Sequence, residues 1–254
     1  MKNFTISLLF SLLIGQMGFA QLIYPSDSVI NQTDENGLKQ GYWEENIGRA
    51  KVIGTYVDDL RDGTWVHYHP NDIVQIVQNY TLGKKEGLFI EIDKRGYFVS
   101  EKYYKDDALH GPSKTFERGS RLLLEENYKN GKLDGVRKAF YTTGRPQEEA
   151  VYVDGLKQGT SKWYNQEGNL IAEYKYNDGL FEGVQKTFYE DGTVKSEETY
   201  NANIKNGSCR AYFEDGKLKE EGEYKGDLKN GIWITYDKEG KVLNETKYKK
   251  GEAK

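Results

Sequence analysis

The sequence contains little cysteine and little proline, and both shortages limit the folds it can adopt. One cysteine, Cys209, stands among 254 residues, so no internal disulfide can form and packing and hydrogen bonds must hold the chain together. Only 4 prolines accompany 28 glycines. Proline would remove donors from a sheet and glycine supplies positive φ, so this combination favours many tight turns between hydrogen-bonded strands. Glycine does not recur at every third residue, which excludes collagen.

An excess of charge of either sign is also missing. The chain has 36 basic and 40 acidic residues, interspersed along its length, with a formal net charge of -4. This balance provides no long-range attraction for nucleic acid or for an anionic bilayer. Nucleic acid is therefore not predicted as a partner, although local charged patches are still allowed.

The one long apolar run lies at the N-terminus. Lys2 precedes an apolar run at residues 4–14, and Gly18-Phe19-Ala20 follows before Gln21, which is the pattern of a secretory signal peptide. The run is too short to cross a bilayer, and no lipoprotein cysteine follows it. We predict cleavage after Ala20 and export to the periplasm or beyond the cell, with no transmembrane span in the mature chain. A buried strand or helix at residues 1–20 is the alternative.

A period of 24 residues runs through most of the remaining chain and indicates tandem repeats rather than globular domains. Tyrosine follows this period at Tyr56, Tyr80, Tyr104, Tyr128, Tyr152, Tyr176, Tyr200, Tyr224 and Tyr248. A glycine opens each unit, at Gly41, Gly63, Gly87, Gly111, Gly135, Gly159, Gly183, Gly207 and Gly231. The predicted organisation is a signal peptide at 1–20, a linker or N-terminal cap at 21–36, and nine tandem repeats at 37–254.

Each unit is predicted to form two strands joined by a tight turn. A second glycine follows the opening one by nine residues in six units, as in Glu190-Asp191-Gly192, which is typical of a three-residue hairpin loop closed by a left-handed glycine. Between units, Gly, Asn or Asp at a fixed register predicts a second turn with positive φ. No helical period follows residue 20. The predicted fold class is all-β: one elongated, twisted antiparallel meander of about 18 strands in tandem hairpins.

Three columns of side chains follow from the period. Apolar residues five and eleven positions after the opening glycine have odd offsets, like the tyrosines, so all are predicted to share one face and form its core. Glutamates from Glu101 to Glu245 precede the tyrosines by three residues. They are interpreted as a solvated row partnered by lysines of adjacent strands, or alternatively as a contact stripe for a cationic partner.

The third column is basic and lies three residues after the opening glycine in five consecutive units. Its odd offset predicts that the basic groups lie beside the aromatic residues, where they either cover the rings or bind phosphate, sulfate or an acidic polymer. Its members are Lys114, Lys138, Lys162, Lys186 and Arg210.

No residue pattern predicts catalysis, a metal or a cofactor. Successive glutamates of their column would stand about 9.6 Å apart, too far to share a proton or one metal ion. His67 and His69 should point to the same side of a strand, but His110 lies almost two units away and no third ligand is evident. No nucleophile motif or phosphate loop occurs, so a non-enzymatic protein is predicted.

The unit Gly-x3-x-[Phe/Tyr]-Tyr-x2-Gly-x-[Leu/Val], followed by Glu-x2-Tyr-x-[Asn/Asp]-Gly-x3-Gly, resembles the variant of the MORN repeat (membrane occupation and recognition nexus) over residues 37–251. The resemblance implies a scaffolding or phospholipid-binding array whose groove is lined by repeated aromatic residues and glycines. Bacterial proteins of this variant are commonly labelled as antitoxins. That role does not agree with a signal peptide, because an exported protein cannot neutralise a toxin in the cytosol.

The predicted function is therefore an exported, non-enzymatic surface that binds or scaffolds a protein or an anionic envelope component, either a lipid headgroup or a glycan. The alternative is an antitoxin or immunity-type protein that neutralises a partner toxin. No cofactor is predicted. The candidate binding residues are the five members of the basic column together with Tyr128, Tyr152, Tyr176 and Tyr200.

Overall fold

The computed structural model describes residues 29–254, and the predicted signal peptide lies outside them. These residues contain no helix, hence none that could cross a membrane, and form one antiparallel sheet of 23 strands whose neighbours follow chain order. The all-β meander is therefore confirmed. The strands are β1 (Gln32–Thr33), β2 (Lys39–Ile47), β3 (Ala50–Val57), β4 (Leu60–Tyr68), β5 (Val74–Thr81), β6 (Lys84–Lys85), β7 (Gly87–Ile92), β8 (Phe98–Lys105), β9 (Ala108–Glu117), β10 (Arg121–Lys129), β11 (Lys132–Leu133), β12 (Gly135–Phe140), β13 (Pro146–Val153), β14 (Leu156–Tyr164), β15 (Leu170–Asn177), β16 (Leu180–Phe181), β17 (Gly183–Phe188), β18 (Val194–Asn201), β19 (Ile204–Tyr212), β20 (Leu218–Lys225), β21 (Leu228–Tyr236), β22 (Val242–Lys249) and β23 (Glu252–Ala253).

Most of these strands pair up as the predicted hairpins. The short strands β6, β11 and β16 are first segments of β7, β12 and β17, interrupted just before the opening glycine. Counting each interrupted strand once and leaving out the terminal β1 and β23 gives 18 strands, as predicted. At the N-terminal edge β1 pairs with β2, and the side chain of Asn31 is hydrogen-bonded to the backbone of Glu44 in both directions.

Both kinds of predicted turn are present. In the first, the amide of Tyr189 donates to the carbonyl of Thr193 at 2.8 Å and that of Gly192 donates to Tyr189 at 3.0 Å, which closes a three-residue loop with Gly192 at φ 88. In the second, Ala202 and Asn203 form a two-residue turn with φ 46 and 70. Positive φ at both positions is the type I′ geometry, whose twist matches that of the flanking strands.

The opening glycine occupies a bulge within the strand rather than the start of a strand. Glu198 pairs with Cys209 and Tyr200 pairs with Lys205, so residues 206–208 lie opposite the single residue 199. Gly207 lies within this bulge at φ 123, and all nine opening glycines have positive φ. Glycine is required here because other residues rarely adopt this conformation.

A second bulge reverses part of the predicted face assignment. Thr187 pairs with Ser196 while Phe188 pairs with Val194, which leaves Lys195 as an extra residue. Since side chains alternate along a strand, one extra residue moves every later side chain to the opposite face. The prediction that odd offsets share a face was therefore wrong, because it holds only for a hairpin without a bulge.

The corrected faces can be named by their columns. On the lysine face, the basic column lies directly opposite the glutamate column, as in Lys186 against Glu197, with the residues five and eleven positions after the glycine beside them. On the tyrosine face, Tyr200 lies opposite Gly183, and Gln185 lies opposite Glu198. The basic column and the tyrosines of the predicted binding set are thus on opposite faces and cannot form one site.

Many of the most buried side chains lie on the tyrosine face, in a column that sequence reasoning missed. It lies two residues after the opening glycine, and its buried members are Trp65, Phe89, Ser113, Ser161, Gln185 and Trp233. Trp65 is fully buried against Val52 and Tyr56, and its indole donates to the carbonyl of Thr55 at 3.1 Å. The equivalent atom of Trp233 donates to the backbone carbonyl of Glu223 at 3.2 Å. The column thus fills the core and also satisfies carbonyls beside the glycine bulge.

Replacing Gly183 with Val is expected to lower the free energy of unfolding by about 1–3 kcal/mol, because a β-branched residue is strained at its φ of 77. Its Cβ would have only one neighbour, Lys175 Cδ at 3.9 Å, so the effect comes from the backbone and not from crowding. Gly183→Asn should cost much less, since Asn tolerates this region. Urea unfolding followed by circular dichroism measures both, and equal losses would contradict the bulge assignment.

Candidate functional site

The lysine face carries one continuous row of alternating charges. Each basic residue of the column lies directly opposite a glutamate on both neighbouring strands, about 4.8 Å away in the sheet. In order, the row is Glu101, Lys114, Glu125, Lys138, Glu149, Lys162, Glu173, Lys186, Glu197, Arg210 and Glu221. The prediction that the glutamates are partnered by basic residues of adjacent strands is confirmed from Glu101 to Glu221, whereas Glu245 lies opposite Ile234.

Most ion pairs in this row are loose. Lys186 lies 2.7 Å from Glu197, but the four other pairs are separated by 3.7 to 3.9 Å, beyond hydrogen-bonding distance. The basic side chains of those four pairs are 39 to 49% exposed. Lys114, Lys138, Lys162 and Arg210 therefore keep donors that can be directed to a ligand.

Aromatic residues of the same face stabilise the glutamates. Tyr212 donates to Glu197 at 3.1 Å and Tyr236 donates to Glu221 at 2.8 Å. Partial burial, followed by the neighbouring carboxylate, raises the pKa of Tyr212 above its ordinary value. Where the residue five positions after the glycine is a tyrosine, its hydroxyl thus holds a glutamate of the row in place.

Replacing Glu197 with Gln is expected to cost only about 0–1 kcal/mol at neutral pH, because the ion pair is partly exposed. The hydrogen bond from Lys186 lowers the pKa of Glu197. A lowered carboxyl pKa adds stability above the ordinary glutamate value, and this contribution is lost as pH falls through the folded-state pKa. The difference in the free energy of unfolding between the wild type and Glu197→Gln should therefore disappear at acidic pH. The exposed Glu239→Gln serves as control, and failure to fold would contradict the surface assignment.

The tyrosine face has its own basic column, two residues before the opening glycine, which sequence reasoning also missed. Its members are Lys39, Arg61, Lys85, Lys157, Lys205 and Lys229. Their charged groups lie 3.8 to 6.0 Å from the ring centroids of neighbouring aromatic residues. The pattern Lys/Arg-x-Gly, present in six of the nine units, was the signal that could have revealed this column.

Lys157 shows how these cations are held. Its ammonium lies 6.0, 5.4 and 5.0 Å from the rings of Tyr152, Trp163 and Tyr176, and 2.6 Å from a carboxylate oxygen of Glu148. Tyr200 contacts Lys205 in a similar way. The protein's own lysines thus occupy the positions between these tyrosines where a cationic ligand could otherwise bind.

A half-buried charge network lies in the middle of the tyrosine face. Arg137 is ion-paired with Glu126 at 3.2 Å and, at short range, with Glu148, which also binds Lys157. The Glu148 side chain is only 6% exposed. Tyr128, the remaining predicted tyrosine, donates to Glu126 at 2.9 Å, and burial with this carboxylate raises its pKa to about 12. The network is internally balanced and has a structural role.

The thiol and the imidazoles do not form a reactive cluster. Burial, followed by the charge of Glu198, raises the pKa of Cys209 to about 11, which disfavours the nucleophilic thiolate. His69 Nε2 is hydrogen-bonded to the carbonyl oxygen of Ile92 at 2.9 Å, and burial lowers the pKa of His67. Between residues 29 and 254, no group of three or more His, Cys, Asp or Glu is placed to hold a metal ion.

These features define an open repeat protein built from a single sheet with two chemically different faces. Within this class, the family model for the MORN repeat variant matches residues 133–154, 157–178, 181–202, 205–225 and 229–250. Residues 133–250 thus contain five tandem repeats of the MORN variant. The matched segments run approximately from one two-residue turn to the next. Such repeats are generally a non-catalytic module. Comparison with curated proteins gave no match.

Proposed function

We propose that the protein is an exported, non-enzymatic scaffold whose lysine face binds a protein or an anionic component of the cell envelope. One observation carries the proposal: four basic side chains of a single row are exposed and held only loosely by their carboxylates. An incoming carboxylate, phosphate or sulfate can pair with them without disrupting a tight ion pair.

The spacing of the row favours an extended or multivalent partner. Consecutive cations are two strands apart, about 9.6 Å. A polymer or a membrane surface with several anionic groups could contact several repeats at once, so that weak contacts combine into strong overall binding. The rings beside the row, such as Phe140 and Phe188, add apolar contact area next to the charges.

The lysine face supports this function better than the tyrosine face. Cations of the tyrosine face are covered by rings, and those of Lys157 and Lys205 lie within 2.6 and 2.9 Å of carboxylates. Using them for a ligand would require breaking closer pairs that are partly desolvated. We therefore assign Lys114, Lys138, Lys162 and Arg210 as the main contacts.

Export rests on the predicted signal peptide at residues 1–20, together with a chain that needs no disulfide. The periplasm or the cell exterior would give the lysine face access to envelope glycans and lipid headgroups. Sequencing the N-terminus of the protein recovered from cell fractions checks this. A mature chain that starts at Gln21 outside the cytoplasm is the expected result, and an intact cytoplasmic chain would refute export.

The binding proposal can be tested with two matched quadruple variants. The first replaces the four loosely held cations of the lysine face with Gln. The control replaces four exposed basic residues at turns of the sheet edges, outside the lysine face, for which the described structure shows no ion pair, and so changes the net charge equally. The control residues are Arg49, Lys94, Lys241 and Lys250.

Both variants and the wild type would be immobilised and exposed to envelope extract, vesicles with anionic lipid headgroups, and soluble acidic glycans. We expect the immobilised wild type and the control to retain an anionic component, and the lysine-face variant to lose this binding. No retention by the wild type would refute it. Capture of one protein partner in a one-to-one complex, unaffected by the lysine-face changes, would instead favour the antitoxin or immunity role.

A further inference from the structure

The three-residue turns form one long edge of the sheet, and charge is segregated along it. The outermost turns of this edge, at 69–73 and 237–241, contain one acidic residue and two residues of each sign, respectively. We define the loop edge as the six turns between them, residues 93–97, 117–121, 141–145, 165–169, 189–193 and 213–217. The first three turns contain five basic and two acidic residues, whereas the last three contain five acidic and one basic residue. One edge thus has a positive half followed directly by a negative half.

The charged side chains nearest the middle of the loop edge are exposed. Arg118, Arg121 and Arg145 are exposed in the positive half, as are Glu167 and Glu190 in the negative half. The guanidinium groups of Arg121 and Arg145 donate to carbonyls of the next turn, at 3.0 and 2.9 Å. These bonds use one donor of each group and fix its position along the edge, while other donors stay available.

We propose that the loop edge is an interface between two copies of this chain, related by a two-fold axis between the turns at 141–145 and 165–169. A two-fold axis brings the same surface of both copies together in opposite directions. The positive half of each copy then faces the negative half of the other. Arg145 meets Glu167, and Arg118 and Arg121 meet Glu190 and Asp191, once on each side of the axis.

The charge distribution favours a second copy over a polyanion. An anionic polymer along the positive half would approach the first negative turn within about 9.6 Å, comparable to the Debye length at physiological salt. Because the sheet twists, the contact is concentrated at the four central turns, from 117–121 to 189–193. The lysine face remains free in such a dimer, so the pairing does not depend on what that face binds.

A charge-swap experiment tests the interface. One variant carries Arg118→Glu and Arg145→Glu, so that both halves of its loop edge are acidic. The other carries Glu167→Arg, Glu190→Arg and Glu214→Arg, so that both halves are basic. Sedimentation equilibrium would be measured for the wild type, for each variant alone, and for the two variants mixed in equal amounts.

We expect the wild type to dimerise and the dimer to weaken as salt rises. Each variant alone should dimerise at least tenfold more weakly, whereas the mixture should form heterodimers at about the wild-type affinity. Heterodimer formation would also show that both variants are folded. A monomeric wild type, variants that still dimerise alone, or a mixture that stays monomeric would each overturn the proposal.

Discussion

Adding a single methyl group at Gly54 is expected to destabilise the protein by about 1–3 kcal/mol, although this glycine has an ordinary backbone conformation. Its Cβ would lie 2.6 Å from Cγ of Trp65, an indole that is fully buried on the next strand. Neither can move easily, because the ring is fixed by its hydrogen bond to Thr55 and by its contacts with Val52 and Tyr56. Gly54→Ala therefore causes overpacking, not backbone strain.

Another repeat of the same chain supplies the compensating change. Ala150 occupies the position of Gly54 in a later unit, and Ser161 there occupies the position of Trp65. We expect Trp65→Ser alone to cost about 3–5 kcal/mol through lost packing. In the double variant Gly54→Ala with Trp65→Ser, the new methyl group no longer overlaps the indole. The further loss of unfolding free energy due to Gly54→Ala should therefore nearly disappear.

Urea unfolding of the wild type, the two single variants and the double variant measures this coupling. Gly222→Ala is a matched control, because its Cβ would lie 2.7 Å from Cγ of Trp233 and should cause a similar loss. Additive effects of the two changes in the double variant would contradict the proposed contact between Gly54 and the indole.

The period alone was sufficient to predict the strands and turns. Gly192 and Asn203 occupy positions where positive φ is required, and few residue types tolerate it, so the turn signal is local and strong. The face assignment depended instead on a bulge at Lys195, where the backbone accommodates an extra residue of ordinary type. No special residue marks this position, so counting offsets gave the wrong parity for the tyrosines.

Pairing across strands explains how much of the candidate site was predictable. Lys186 and Glu197 could be recognised as members of two columns with complementary charge, although their direct opposition depends on the bulge. Burial was less predictable. Tyr176 and Tyr152 looked available as repeated aromatics, but Lys157 lies between their rings, and this contact joins residues of different units. Comparing a column of one unit with a column of the next would have revealed it.

Replacing Arg137 with Cys is expected to lower the free energy of unfolding by about 3 kcal/mol, because it leaves two largely buried carboxylates short of a partner. Glu126 loses its only ion pair in the network, while Glu148 retains Lys157. A loss of less than about 1 kcal/mol would mean that the network behaves like an exposed ion pair.

Three repeats further along the chain, an equivalent network is built without the arginine, and it suggests a compensating change for this variant. There, Glu198 and Glu220 occupy the positions of Glu126 and Glu148, but Cys209 replaces the arginine, and Lys205 pairs with Glu198 at 2.9 Å. The position of Lys205 corresponds to Leu133 in the arginine-containing unit, which explains why that unit takes its cation from position 137 instead.

Adding Leu133→Lys to Arg137→Cys recreates the later arrangement and should recover at least half of the lost stability. Unfolding in urea under reducing conditions, with Leu133→Lys alone as control, measures the recovery. Since the single Leu133→Lys places a second cation beside Arg137, it should destabilise the wild type. A double variant no more stable than Arg137→Cys would show that the location of the cation, and not only its charge, determines the stability of this face.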